Sequence, residues 1–270
     1  MTLPRPLPGL RTLATKMSAE NRLARKLGRF ARLSAEDRVA LDSIWKGPRH
    51  ECPALHDLIR EGDMPRDIRL IVDGWACRAK MLEDGRRQIV SYLLPGDICD
   101  ANALIRGRMD HSVQALTPVR YTVLSLADFE ELMTAHPRIQ RAARCDALAN
   151  ASIQREWALS LGQRSAVERL AHLLCELFTR LGMIGLANAE GCELPVTQVE
   201  LADTLGLTAV HVGRTLKDLR LRGLIRLRDR RLEIPDFAAL SRVALFSPAY
   251  LHLDCGDAAP AAEDQAILFG

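Results

Sequence analysis

Between residues 63 and 124, hydrophobic residues come in short runs that are bounded by turn-forming pairs. The clearest runs are 69–72, 88–94 and 121–124, and the turn signals are Asp73-Gly74, Asp84-Gly85 and Pro95-Gly96. Runs of this length, rich in branched and aromatic residues, indicate β-strands, and tight turns return each strand beside its neighbour. The pattern predicts a compact antiparallel β-roll.

Beyond the roll the pattern becomes helical. Residues 138–161 contain neither proline nor glycine, which predicts one helix of about 24 residues and about 36 Å. Ala142, Ala149, Ile153 and Trp157 recur on it at spacings of four or seven positions. Such a narrow stripe suits a dimerisation helix that pairs with a second copy of the chain. Packing of the stripe against the roll of the same chain is the alternative.

The segment around residue 200 carries the most specific pattern in the chain. Thr197 and Glu200 have the spacing of a capping box for one short helix, and Thr208 can cap the next. Ala202 is small where two helices must cross closely, and Gly206 permits a left-handed turn between them. A generic helical hairpin does not require this combination, so we predict a helix-turn-helix.

The second helix of this unit has an apolar side and a mixed side. Val212, Leu216 and Leu219 recur at the spacing of one helical face and are expected to point inward. The outer surface and its edges then carry Ala209, Val210, His211, Arg214 and Lys217. This is the helix that we expect to read DNA.

A basic hairpin follows the second helix. Residues 223–234 predict two short strands about the polar turn Arg228-Asp229-Arg230, which together form a wing. Arginines on a wing can contact the phosphate backbone and fix the register of the protein on DNA; the alternative is an exposed hairpin that only aids solubility. The expected DNA-contacting set is Thr197, Thr208, Ala209, Val210, His211, Arg214, Lys217, Arg228 and Arg230.

The distribution of charge supports this interpretation more than its sum does. The chain of 270 residues has a net charge of +3. Eight basic and two acidic side chains lie between Thr208 and Arg231, a local charge of +6 that leaves −3 on the rest of the chain. A concentrated basic segment on an otherwise acidic protein is typical of a phosphate-binding surface, although a solvated charged helix also fits the charge alone.

Several function classes are excluded by composition and motif. No run reaches the roughly 18 apolar residues of a membrane span, and the first 17 residues lack the apolar stretch of a secretory signal, so we expect a cytoplasmic protein without membrane contact. The seven cysteines lie at least 17 positions apart, which predicts reduced thiols and no metal site. No nucleophile elbow, P-loop, metalloprotease or dinucleotide motif is present. We therefore expect no enzyme activity, no catalytic residues and no cofactor.

The order of roll, long helix and winged helix-turn-helix resembles the CRP/FNR family of transcription regulators. The matching strings are Leu58-Ile-Arg-Glu-Gly-Asp63, Asp84-Gly85, Leu94-Pro-Gly-Asp97, Leu201-Ala-Asp-Thr-Leu-Gly-Leu-Thr208 and Val212-Gly-Arg-Thr-Leu216. The resemblance implies an α+β fold with a cyclic-nucleotide-binding-like roll. It also implies a homodimer on double-stranded DNA with two-fold symmetry, and a contact with RNA polymerase if the protein is an activator.

The resemblance divides the chain into five parts. We expect a disordered extension over 1–20, a regulatory roll over 21–136, a dimerisation helix over 137–162, a winged helix-turn-helix over 163–240 and a C-terminal tail over 241–270. Within the fourth part, a helix is expected over residues 166–181 before the helix-turn-helix begins.

The sequence departs from the family pattern at the residues that bind the regulatory signal in other members. Family members that bind cyclic AMP have a glutamate that binds the ribose and an Arg-Ser pair that binds the phosphate. In this sequence the matching positions hold Ala101 and His111-Ser112. A neutral histidine cannot replace the permanently charged arginine fork, so we predict that cyclic AMP does not control this chain. Oxygen-sensing members need an N-terminal cysteine cluster, and no cysteine precedes Cys52.

Control of the DNA-binding activity stays open at this point. One alternative is a roll that senses an unidentified metabolite in a pocket formed by Gly96, Asp97, Ala101, His111 and Ser112; another is a redox signal at Cys77 or Cys99. Regulation by the amount of protein alone is equally compatible with the sequence.

Overall fold

The computed structural model describes residues 21–99 and 107–253. Strands form the N-terminal half and helices the centre and the C-terminal half, so the predicted α+β class is confirmed. The expected extension over 1–20, Ala101 and the last part of the tail lie outside the described residues. None of the helices in the described ranges combines the length and the apolar character that crossing a membrane requires.

The N-terminal half is a roll preceded by two helices. Its elements are α1 (Arg22–Leu27), α2 (Ala35–Trp45), β1 (His50–Cys52), β2 (Asp57–Ile59), β3 (Asp67–Asp73), β4 (Ala76–Met81), β5 (Arg87–Leu93), β6 (Ser112–Ala115), β7 (Val119–Ser125) and α3 (Leu126–Ala135). Two antiparallel sheets, in the orders β1-β7-β3 and β2-β6-β4-β5, face each other. Ile71, Ala76, Leu93 and Val113 are almost fully buried between them. The predicted strands coincide with β3, β5 and β7, except that the run 88–94 extends one residue beyond the end of β5 at Leu93.

The second half is built on helices and a small sheet. It consists of α4 (Pro137–Gln163), α5 (Ala166–Met183), β8 (Ala187–Asn188), β9 (Gly191–Glu193), α6 (Gln198–Leu205), α7 (Ala209–Leu221), β10 (Arg226–Arg228), β11 (Arg231–Glu233), α8 (Phe237–Ala244) and a 3₁₀ turn (Pro248–Leu251). The sheet has the order β10-β11-β9-β8 and is antiparallel throughout. The long helix, the helix-turn-helix and the wing are therefore where the sequence predicts them.

The apolar stripe of α4 packs inside its own chain. Ala142 is 0% exposed, Ala149 4%, Ile153 5% and Trp157 7%. The two alanines belong to a core with α1, and Ile153 and Trp157 belong to a core shared with the roll and α5. The prediction that these four side chains face a second copy is wrong, because α1, the roll and α5 all approach this one side of the helix.

The roll and the helix-turn-helix contact each other directly. The hydroxyl of Tyr92 on β5 donates a 2.6 Å hydrogen bond to Thr204 Oγ1 on α6, since that Oγ1 itself donates to the Glu200 carbonyl. Arg87 at the start of β5 lies 2.8 Å from the Asp203 carboxylate. These contacts fix the orientation of α6 against the outer face of the roll.

A buried network of charges joins four parts of the chain. Lys26 of α1 donates to Asp97 Oδ1 at 2.6 Å and to Asp146 Oδ2 of α4 at 2.7 Å. The other oxygen of Asp97 accepts from the Leu94 amide at 2.8 Å and lies 3.4 Å from Arg180 of α5. All of these charged side chains have partners, which is the condition under which buried charge is tolerated.

The network changes the acidity of its members. Burial raises the pKa of Asp97, but Lys26 and Arg180 outweigh burial and leave that pKa below its usual range. Burial likewise lowers the pKa of Lys26, while Asp146 and Asp97 outweigh it and leave the pKa raised. Both groups are therefore charged at neutral pH, and each keeps the other charged.

The C-terminal segment closes the junction between α4 and α5. Tyr250 donates a 3.0 Å hydrogen bond to Glu176 Oε2, which also accepts from Trp157 Nε1 at 3.0 Å. The ring of His172 stacks on that of Tyr250, and burial followed by the charge of Arg164 lowers the pKa of His172 to about 3. The segment therefore holds both helices at their junction.

We expect Asp97→Asn to lower the free energy of unfolding at pH 7 by about 3 kcal/mol, since Lys26 and Arg180 lose a shared buried partner. The pKa of Asp97 is lower in the folded than in the unfolded state, so this contribution is present above the unfolded pKa and is lost as pH falls through the folded one. Urea unfolding measures the loss. Asp84→Asn, at an exposed pair with Arg86, is the matched control and should cost less than about 1 kcal/mol; equal losses would contradict the role of Asp97.

Candidate nucleic-acid interface

Helix α6 begins with a complete capping box. Thr197 Oγ1 accepts from the Glu200 amide at 3.2 Å, and Glu200 Oε2 accepts from the Thr197 amide at 2.6 Å. Two amides that the helix leaves unpaired are thereby satisfied by residues three positions apart. Thr197 is exposed, and the predicted cap is confirmed.

The turn between α6 and α7 depends on a glycine. Gly206 adopts φ 61° and ψ 41°, the left-handed conformation that a β-carbon disfavours. The chain then reverses, and the Leu207 amide bonds to the Ala202 carbonyl at 3.1 Å. Thr208 caps α7 by accepting from the His211 amide at 3.2 Å. Helix α7 is thus fixed at its first residue and held across α6.

Helix α7 presents one face to the core and the other to solvent. Val212, Leu216 and Leu219 are buried, as predicted. His211, Arg214 and Lys217 are exposed, and Val210 is 65% exposed. Ala209 is half-buried and packs on the domain core, so it lies at the edge of the exposed face.

The wing reverses direction in a two-residue turn, and both turn residues have left-handed backbone conformations. Asp229 has φ 48° and Arg230 φ 61°, the conformation of the hairpin turns whose twist matches that of the paired strands. Arg228 ends the strand before the turn, Arg230 is the second residue of the turn, and both are exposed. The turn therefore directs basic side chains away from the domain.

Some basic side chains of this surface have acidic partners and others do not. Arg222 lies 3.5 Å from Asp218, Arg226 lies 3.5 Å from Glu233, and Arg231 lies 3.8 Å from Glu190. Within residues 21–99 and 107–253, no carboxylate lies within 4 Å of the remaining set, which is Arg214, Lys217, Arg220, Arg228 and Arg230. These five positive charges are available to an anionic ligand.

One residue of this surface was missed by sequence reasoning. Gln198, the first residue of α6, lies over Gly213 of α7, and a β-carbon at Gly213 would be 2.8 Å from Gln198 Oε1. The glycine therefore lets an exposed carboxamide lie beside the outward face of α7. The available signal was a glycine inside a predicted helix. Glycine there costs about 1 kcal/mol of helix stability relative to alanine, so its presence indicates that another group packs closely against it.

The predicted effector pocket is only partly assembled. Asp97 is occupied by the charge network, and a β-carbon at Gly96 would lie 3.1 Å from the backbone of Arg22. Ser112 Oγ accepts from the Glu61 amide at 3.0 Å. Gly96 and Asp97 thus help to pack the roll against α1 and α5, but Asp97 also lines the cavity beside His111, so a ligand contact at Asp97 stays a prediction.

His111 does line a cavity. The cavity has a volume of about 780 Å³ and lies between the roll, α3 and α4; Arg78, Phe129 and Arg144 also line it. The ring of His111 bonds to Asp110 at 2.7 Å. Burial lowers the pKa of His111, so the ring is neutral at pH 7.

The cysteines proposed as redox sensors are buried. Cys77 is 0% exposed and Cys99 1%. Burial raises the pKa of Cys77 to about 12, so its thiolate, the reactive form, is scarce at neutral pH. The structure favours a packing role for both.

Two family models match the chain. One described as "Crp-like helix-turn-helix domain" matches residues 168–243, and one described as "Cyclic nucleotide-binding domain" matches residues 49–136. The first covers α6, α7 and the wing, and the second covers most of the roll.

Similar proteins include named regulators. The transcriptional activator protein FnrL of Cereibacter sphaeroides is 32% identical over 78% of this chain and 85% of its own length. The nitrogen fixation regulation protein FixK of Bradyrhizobium diazoefficiens is 31% identical over 68% of this chain and 76% of its own length. The solved structure of FixK2 from Bradyrhizobium japonicum has a TM-score of 0.65 at 22% identity and covers 74% of this chain and 98% of that one. It supports the fold.

Proposed function

Because the chain belongs to the CRP/FNR family of DNA-binding transcription regulators, we propose that it binds a two-fold operator as a homodimer, with α7 of each copy in the major groove. The observation that carries this proposal is the outward face of α7. It combines Arg214 and Lys217, which have no acidic partner among the described residues, with a helix start fixed by Thr208.

The exposed side chains of this surface fall into two groups, one that contacts a base and one that contacts phosphates. Arg214 stands on the exposed side of α7, where its guanidinium can bond both O6 and N7 of a guanine. The exposed residues Thr197, Thr208, Lys217, Arg228 and Arg230 lie around that helix and supply donors for phosphates, which position the protein without reading sequence. His211 and Ala209 complete the surface at its edges.

The dimer uses the free face of α4 rather than its buried stripe. Ala147, Ala151 and Ala158 are exposed and recur on α4 at spacings of four and seven positions. Small side chains allow two helices to approach closely, and a two-fold pair would place the two α7 helices in successive major grooves, about 34 Å apart. The relatives named as activators support activation, which requires a contact with RNA polymerase.

Cyclic AMP does not control the protein in this proposal. Its phosphate is permanently anionic and needs a fixed cation when buried. His111, which stands where the cyclic-AMP-binding relatives have an arginine, is neutral at pH 7, and Arg78 of the same cavity donates to the Ile98 carbonyl at 2.9 Å. A roll that senses another ligand remains a second candidate because the cavity beside His111 is large enough for a small molecule.

Arg214→Ala should lower affinity for the best operator by about 1–3 kcal/mol and relax the choice at one base position. Fluorescence anisotropy on a library-selected operator and its single-base variants measures both effects. Lys217→Ala is the matched comparison on the same helix, and it should weaken binding equally on all sequences and reduce the salt slope by about one. Uniform weakening by Arg214→Ala would assign that arginine to phosphate instead.

Ala151→Asp should convert the dimer to a monomer, because it places an unpaired charge in the helix seam. Sedimentation velocity measures the mass, and circular dichroism checks that the monomer stays folded, as expected for an exposed position. Ala238→Asp makes the same change at an exposed alanine of α8 and should leave the dimer intact. A dimeric Ala151→Asp variant would place the interface elsewhere.

Titration calorimetry with millimolar cyclic AMP at pH 7 should show no saturable heat, and operator affinity should not change. The pKa of His111 is below its usual value, so lowering the pH to 6.5 should not create binding. Binding at micromolar cyclic AMP would contradict the proposal and would identify another cation, such as Arg78 in the same cavity, as the phosphate ligand.

A further inference from the structure

A large aliphatic side chain lies exposed on the DNA-facing side of α7. Val210 is 65% exposed although it belongs to the first turn of a helix whose other valine, Val212, is completely buried. Leaving an apolar side chain in water forgoes the free energy of burying it. An exposed valine on a surface that is otherwise built for a ligand therefore suggests an apolar contact with that ligand.

The surroundings of Val210 identify the ligand as a polyanion. Val210 lines a shallow concave surface together with His211, Arg214 and Asp218, and the Asp218 carboxylate is neutralised by Arg222 at 3.5 Å. Arg214 follows Val210 by four positions and therefore lies on the same face one turn later. Lys217 continues the positive charge along the helix. An apolar protein partner would not need this row of cations, whereas a DNA groove would.

In the first turn of α7, Ala209 and Val210 have no hydrogen-bonding side chain, so His211 is the one residue of that turn that could bond a base edge. Ala209 is half-buried against the core. The valine can distinguish bases by contact with a methyl group. In the major groove that group is the C5-methyl of thymine, which cytosine and the purines lack.

We propose that Val210 recognises the C5-methyl group of a thymine in each operator half-site. The thymine lies one or two base pairs from the guanine that Arg214 reads, since one helical turn rises about 5.4 Å and successive base pairs are about 3.4 Å apart. This inference rests on the proposed function and adds to it the chemistry of a second base. The contact excludes water from both methyl-bearing surfaces.

Deoxyuridine tests the contact because it differs from thymidine by that methyl group alone. The operator is first selected from a random library with the full-length protein, and each thymine is then replaced by deoxyuridine in one half-site or in both. We expect one position near the guanine where affinity falls about fourfold for one half-site and about fifteenfold for both, as loss of one buried methyl group per half-site predicts. Other thymines should show little change.

A double-mutant cycle assigns the methyl contact to Val210. Val210→Ala should weaken binding to the thymine operator and should make the deoxyuridine replacement neutral, because the two groups act as a pair. Val39→Ala is the matched control: Val39 is 70% exposed on α2 of the other domain, and its replacement should leave the effect of deoxyuridine unchanged.

Three outcomes would overturn the proposal. If deoxyuridine had no effect at any thymine, the methyl contact would be rejected. The proposed function would still stand in that case, provided that Arg214→Ala lost its discrimination for guanine. An effect that persists in Val210→Ala would assign the methyl contact to another residue. Failure of the full-length protein to select any sequence would instead reject the proposed function itself.

Discussion

The carboxylate of Asp97 is the point on which the arrangement of the two halves depends. It comes from the turn after β5, yet it is bonded to Lys26 of α1 and lies beside Arg180 of α5. Because these charges are buried, separating the segments would expose at least one of them without its partner, which is costly in a medium of low polarity. The roll, the first helix and the DNA-binding half therefore keep a defined relative position.

That position determines which surface of the helix-turn-helix is free. Tyr92 and Arg87 of β5 contact Thr204 and Asp203 of α6, so α6 is the helix that faces the roll. Its neighbour α7 is consequently turned toward solvent. The exposure of the face that we propose to read DNA thus follows from contacts on the opposite side of the domain, together with the cap and the buried apolar side of α7.

Helix α4 shows how two faces of one element acquire different roles. Ala149 and Ile153 fill the intrachain core, whereas Ala147 and Ala151 stay at the surface. Both sets recur at helical spacing, and both contain small residues. Hydrophobicity alone favoured the side with Ile153 and Trp157 as an interface, but that is the side that α1, the roll and α5 require. The alanine face stays exposed, and for that reason we propose it as the surface that meets a second copy.

The sequence by itself determined the features that depend on neighbours three or four positions apart. The capping box of Thr197 and Glu200, the left-handed Gly206 and the basic wing are all present as predicted, since their hydrogen bonds and dihedral angles are local. The strands of the roll followed from their residue types, although β3 and β7 pair residues far apart in the sequence, such as Ile71 and Tyr121. The tertiary structure alone decided that Asp97 is paired with Lys26 and Arg180, that the Ile153 side of α4 is internal and that Gln198 lies over Gly213. Lys26 and Asp97 are 71 positions apart and Arg180 and Asp97 are 83, and no periodicity encodes such a distance. Only the path of the folded chain brings those charges together.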